Sequence, residues 1–325
     1  MKRIVSILCF VALIQQITAQ STSGITGKPD TSFTNYSAYI QTKQKYPDIK
    51  LVGEFYFSSV KEKRNIIYCE LGKRQLLLDV FYPARIKKPR TAIIIVFGGG
   101  WRSGNRTQHY PLAQRLAALG YVCFTPDYRL STEALYPAAV YDIKTSIRWV
   151  HAHAKEFNVD TSRITVLGFS AGGELAAFMG STNGNQEFEG NNDCLRGSSS
   201  WVHAVIDIDG ILAFIHPESG EGDDSKKTSA ATFWFGYSKT EKPELWKEAS
   251  SLTYTGKQNP PTLFINSSVA RMHAGREDYI NVMNRYHIYT EVHEFENSPH
   301  AFCLFDPWFQ PTVRYVDDFL KKIFR

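Results

Sequence analysis

From residue 75 onward, short aliphatic runs alternate with longer stretches of helical period. Residues 92–96 are almost continuously aliphatic, as a strand covered on both faces requires. Residues 75–82, 121–125, 164–167, 203–209, 262–266 and 291–295 read as further strands. Leu112, Leu116 and Leu119 mark a helix stopped by Gly120. Residues 138–157 carry Val140, Ile143, Ile147 and Val150 on one helical face. Residues 174–179, 277–286 and 313–324 are also read as helices. This alternation predicts an α/β protein: a mostly parallel central sheet with helices on both faces.

Two stretches break the rhythm. Residues 21–60 are polar without clear periodicity and read as a loose N-terminal segment packed on a main domain of residues 61–325. Residues 211–258 separate two strands and are too long for a plain connection, so they are read as a lid-like insertion or a substrate surface.

The extreme N-terminus changes the setting. Lys2 and Arg3 precede an apolar run from Ile4 to Ile14, and Thr18-Ala19-Gln20 follows. This is the layout of a signal peptide over residues 1–20, cleaved after Ala19 or Gln20. Its apolar run is too short for a stable membrane anchor, so a secreted or periplasmic protein is expected. Such a compartment permits disulfides among Cys69, Cys123, Cys194 and Cys303, with Cys69 as a possible member and Cys123 as a buried thiol. Net charge is +5, with no basic stripe, which argues against nucleic acid as a partner. No metal-ligand spacing or phosphate-binding glycine loop is present, so no cofactor or metal is expected.

The candidate chemistry centres on Gly168-Phe169-Ser170-Ala171-Gly172, between a strand and a helix. A serine hydroxyl needs an exposed position and a neighbouring base to become a nucleophile. A tight strand-to-helix turn flanked by glycines supplies the position. Upstream, Phe97-Gly98-Gly99-Gly100-Trp101 follows a buried strand, and the N–H groups of Gly99, Gly100 and Ala171 are expected to hold an oxyanion. His300, on a loop after the last strand, is the expected general base. The acid is less defined: Asp209 ends the strand before the insertion and is the first choice, with Asp278 and Glu277 as alternatives.

Together with Asp127-Tyr128-Arg129-Leu130 and Pro299-His300-Ala301-Phe302, these segments resemble the secreted α/β-hydrolase esterases. The likeness is nearest to the bacterial carbohydrate acetylesterase and feruloyl esterase group, and it covers roughly residues 70–325. It implies an α/β-hydrolase fold and a serine esterase removing acyl groups, commonly acetyl, from plant polysaccharides such as xylan or pectin. It also implies that Arg129 packs against a helix carboxylate such as Asp142. Two positions depart from the group: Phe97 stands where a histidine is usual, and Ala270 stands where many members place the acid. The segment from Asn266 to Asp278 resembles that of gut-type polysaccharide esterases, which makes Arg271, His273 and Arg276 candidate sugar contacts. Trp101, with Trp234, Trp246, Phe302, Trp308 and Phe309, adds flat faces suited to sugar or feruloyl rings. Rival readings are a carboxylesterase or lipase on small or lipid esters, a peptidase of the same fold, and a noncatalytic binding protein.

Overall fold

A computed structural model describes residues 24–190 and 193–325. The expected signal peptide lies outside the described residues. Helix α1 (Asn35–Lys43) and the short strand β1 (Lys50–Leu51) come first. A hairpin of β2 (Val60–Leu71) and β3 (Arg74–Pro83) leads into β4 (Arg90–Val96), α2 (Tyr110–Ala118) and β5 (Val122–Pro126). Then follow α3 (Ala138–Ala152), α4 (Ala154–Phe157), β6 (Val159–Phe169), α5 (Ala171–Ser181) and β7 (Ala204–Ile208). Three short helices, α6 (Ala230–Phe235), α7 (Pro243–Glu248) and α8 (Ser251–Tyr254), precede β8 (Thr262–Asn266). Finally come α9 (Arg276–Arg285), β9 (Thr290–Glu294), β10 (Phe305–Asp306) and α10 (Phe309–Ile323).

The main sheet has eight strands in the order β2-β3-β5-β4-β6-β7-β8-β9. The pairs β2/β3 and β3/β5 are antiparallel, and every later pair is parallel. Side-chain alternation along β4 feeds two separate cores. Ala92, Ile94 and Val96 face one core with Ile143 and Ile147 of α3 and Leu175 of α5. Ile93 and Ile95 face the other with Leu112 and Leu116 of α2 and Val316 and Phe319 of α10. Burial on both faces explains why residues 92–96 of β4 read as an almost continuous aliphatic run.

The N-terminal segment is not loose where it is described. Thr34 caps α1, Ala38 is buried, and β1 pairs with β10 in a two-stranded sheet. Asn35 donates to the Gln108 carbonyl, and Gln114 accepts from the backbone of Phe55. Its polarity reflects a thin layer lying over an already closed domain. The edge strand β2 is also absent from the sequence reading, because most of its residues from Lys61 to Asn65 face solvent and show no apolar alternation.

Residues 211–258 likewise differ from a bare lid. Trp234, Phe235 and Trp246 are fully buried and pack around Phe214, with centroid separations of 4.7–6.0 Å. The insertion carries its own aromatic core, so these tryptophans do not present faces to a ligand. A disulfide joins Cys69 on β2 to Cys194 before β7, across 125 residues, while Cys123 and Cys303 are buried free thiols. Closing so long a loop restricts the unfolded chain, so a Cys69→Ser/Cys194→Ser double variant should lose roughly 2–5 kcal/mol of stability. Urea titration measures this; a loss below about 0.5 kcal/mol, the scale of an ordinary surface change, would contradict it.

Candidate active site

The end of β6 and the start of α5 form a turn that few sequences tolerate. Ser170 adopts φ 56° and ψ −121°, a left-handed conformation costing of order 1–3 kcal/mol for a non-glycine residue. A Cβ on Gly168 would lie 1.8 Å from the Gly172 carbonyl oxygen, and one on Gly172 would lie 2.2 Å from that of Val96. Both glycines are thus required by close backbone approach. The Ser170 N–H donates to the Ile208 carbonyl at 2.8 Å, which ties the turn to β7.

Three loop residues converge there. His300 Nε2 is 2.8 Å from Ser170 Oγ, and its Nδ1 is 2.9 Å from Asp209 Oδ2. Asp209, at φ 53° just past β7, is fully buried. Burial alone would push its carboxyl up, but the nearby His273, hydrogen bonds from His300 and Ser267 and the charge of His300 hold it down to about 2. An ionised carboxylate only accepts, so Nδ1 must carry a proton and Nε2 is left to accept from the serine hydroxyl. Ser267 donates to Asp209 through its N–H at 2.7 Å and through its hydroxyl at 2.5 Å.

The glycine loop lies alongside. Gly98 donates its N–H to Gln108 Oε1 at 2.8 Å, so that group is already used. Among the described residues the N–H groups of Gly99 and Gly100 have no acceptor, and neither has that of Ala171 at the first position of α5. Gly99, at φ 138°, is forced by a turn in which its added Cβ would lie 1.9 Å from the Ser103 carbonyl oxygen. The arrangement can take a proton from Ser170 and offer fixed N–H donors to a developing oxyanion.

Other expected site residues are placed differently. Asp278 lies 3.3 Å from His216 Nε2, and Glu277 pairs with Arg276, so neither meets His300. Arg276 also donates to Asn266 Oδ1 and Glu294, which makes it a brace between α9 and the β8–β9 edge rather than a free sugar contact. Arg271 is exposed and lies 3.5 Å from Glu221. His273 comes within 3.5 Å of Asp209 Oδ1 and so belongs to the acid's surroundings. Trp101 is corrected as a ligand surface. Its ring is buried, stacks on Trp234 at 4.8 Å, and donates from Nε1 to Glu174 at 3.0 Å. Phe302 and Phe309 are buried as well. Phe97 fills the histidine position by stacking on Tyr128, whose hydroxyl donates to the Phe97 carbonyl. Arg129 pairs with Asp142 through two nitrogens.

Sequence reasoning missed two buried carboxylates behind the turn. Glu174 and Asp207 are fully buried, and burial pushes both well above the usual carboxylate range, with the charge of Asp207 adding to the rise at Glu174 and that of Asp209 to the rise at Asp207. Glu174 Oε1 and Asp207 Oδ2 have no hydrogen-bond partner. A proton held in the fold at a pH where the unfolded chain has lost it makes stability fall as pH rises, by about 1.4 kcal/mol per pH unit. Glu174→Gln keeps an oxygen for Trp101 and removes this titration. Its urea midpoint should therefore decline less than wild type between pH 5 and pH 8; parallel declines would show that Glu174 does not carry the effect.

A serine after β6, an aspartate after β7 and a histidine after β9, at one edge of a mostly parallel sheet and beside vacant N–H donors, define the α/β-hydrolase class. The chain belongs to the BD-FAE family, whose model matches residues 78–271. Esterase LipC of Mycobacterium tuberculosis is 32% identical over 201 residues, covering 59% of this chain and 47% of that protein. Carboxylesterase NlhH of the same organism is 36% identical over 120 residues, covering 36% of this chain and 37% of its own. The chain thus spans about half or less of the length of these curated relatives. Among solved structures, esterase 2 of Thermogutta terrifontis bound to butyrate superposes with a TM-score of 0.66 at 25% identity, covering 82% of this chain and 95% of that one. A truncated carbohydrate esterase from gut microbiota shares the fold, with a TM-score of 0.69 at 24% identity over 84% of this chain and 99% of that one.

Proposed function

We propose that this protein is an exported serine carboxylic-ester hydrolase that removes acyl groups, chiefly acetyl, from plant polysaccharides or oligosaccharides such as xylan or pectin. The unbroken hydrogen-bond chain from Asp209 through His300 to Ser170 carries the reading. Ser170 Oγ attacks the ester carbonyl carbon as its proton passes to His300 Nε2. The carbonyl oxygen, now negative, takes the N–H groups of Ala171 and of Gly99 or Gly100. Collapse breaks the bond to the sugar oxygen, which leaves as an alcohol with the proton from His300. Water then attacks the acyl-serine by the same route in reverse and releases the acid.

Membership of the BD-FAE family and the esterase relatives support the ester chemistry. The carbohydrate substrate rests on family likeness, because the aromatic side chains that favoured it in the sequence are mostly buried. Export is supported by the disulfide, a bond at home in oxidising compartments. Butyrate in the Thermogutta relative favours a second reading, a carboxylesterase on small free esters. Acetate release from acetylated xylan and acetylated pectin, compared with p-nitrophenyl acetate and butyrate, separates the two. Turnover of the small esters with no release from either polymer would overturn the polysaccharide reading.

A further inference from the structure

A cavity of about 410 Å³ opens at the N-terminal ends of the parallel strands, the edge of the sheet opposite Ser170. Arg148 of α3, the turn after α5 up to Glu189, and the segment before β7 that ends in Trp201 form its walls. Its volume falls in the range of small-molecule sites. Beneath it lies an unbalanced set of charges. Lys144 is fully buried, donates to the Thr182 carbonyl at 3.0 Å and stands 3.6 Å from Glu189. Arg148, its side chain 3% exposed, donates to Glu189 Oε2 at 2.7 Å and to the Glu189 carbonyl at 3.0 Å. Ser200 also donates to Glu189. Two buried cations therefore share one carboxylate, and the Arg148 Nε has no partner.

An uncompensated buried cation is costly, and a fold keeps one most readily where an anion completes the set. Burial, with the neighbouring Arg148, pushes the Lys144 ammonium down to about 8 against the pull of Glu189. Arg196 lines the exposed rim, its Nε 3.5 Å from Asp193, so the surplus charge is that of Lys144 and Arg148 over Glu189. The rest of the lining is unlike a bare anion site: the half-buried Trp201 ring offers a flat apolar face, and Ser198 and Ser199 add hydroxyls. A planar aromatic wall, hydroxyl partners and surplus positive charge together match a pyranose ring that bears a carboxylate.

We propose that this cavity is a binding site for a uronate-type acidic sugar, separate from the triad. It needs no ester and stands or falls independently of the hydrolase reading. Isothermal titration of the full chain with methyl galacturonide, methyl galactoside and sodium acetate tests it. The galacturonide should bind at least about tenfold more tightly than either of the others, a difference of about 1.4 kcal/mol. Added salt should weaken that binding. Trp201→Ala and Arg196→Gln should each weaken it severalfold, Trp201→Phe should retain it, and Ser170→Ala should leave it unchanged. Equal affinity for the neutral sugar, or for acetate alone, would overturn the assignment. So would full binding in both Trp201→Ala and Arg196→Gln, or loss of binding in Ser170→Ala. Because Arg196 lies on the exposed rim, its variant keeps the test open if Trp201→Ala fails to fold.

Discussion

Ser170→Ala is expected to lower kcat for p-nitrophenyl acetate by about 10⁶-fold, the scale set when a triad nucleophile is removed. The vacant N–H groups of Gly99, Gly100 and Ala171 survive the change and still polarise a carbonyl. They have nothing to deliver, because among the described residues no other hydroxyl hydrogen-bonds to His300 Nε2. Alanine meets the same left-handed backbone penalty as serine at φ 56°, so the unfolding midpoint should stay near wild type. Initial rates of the purified variant, with an active-site titration to exclude carry-over, measure the drop. A loss of less than about tenfold, in a folded variant, would place the hydrolysis at another residue.

The parts of this site that were legible in the sequence are those where local chemistry and chain order agree. Ser170 sits between glycines that backbone contact makes irreplaceable, and such a constraint writes itself into a short motif. His300 follows from its place after the last strand, since parallel topology puts all loops of that kind at one sheet edge. Asp209 could be named but not singled out, because a carboxylate at a strand end and one at a helix start look alike in one dimension. What separates them is three-dimensional: Ser267 and His300 close on Asp209, while Glu277 closes on Arg276.

Trp101 and the tryptophans of residues 211–258 show the opposite failure. An aromatic residue outside regular periodicity reads as exposed, yet Trp101 and Trp234 stack on each other beneath the glycine loop. Their polar handles are met locally: Trp101 donates to Glu174 and Trp246 to the Tyr237 carbonyl. The insertion therefore reaches the catalytic edge through packing. A Cβ on Gly100 would come 2.8 Å from Ala230, so the start of α6 within the insertion bears directly on the oxyanion loop. Changes in residues 211–258 act on the donors' position before they act on any ligand surface.

The acid yields the second large effect. Asp209→Asn should lower kcat by about 10⁴-fold while leaving the fold intact, because the amide breaks the proton order rather than the packing. Asparagine can turn its NH₂ toward His300 Nδ1, which must then accept. The ring proton moves to Nε2, and Nε2 can no longer take the hydrogen of Ser170. The same change removes the oxygen that accepts from the Ser267 hydroxyl. Asp278→Asn and Glu277→Gln touch only His216 and Arg276, so their rates should stay within about twofold of wild type, as for exposed ion pairs. Stability supplies an independent reading. A carboxyl held at about 2 in the fold against 3.8 when unfolded adds about 2 kcal/mol above pH 4, and that support is lost as pH falls toward 2. The Asp209→Asn variant should lack this acid-side loss in urea titrations at pH 5, 3 and 2. A large rate effect in Asp278→Asn, with Asp209→Asn near wild type, would move the acid to α9.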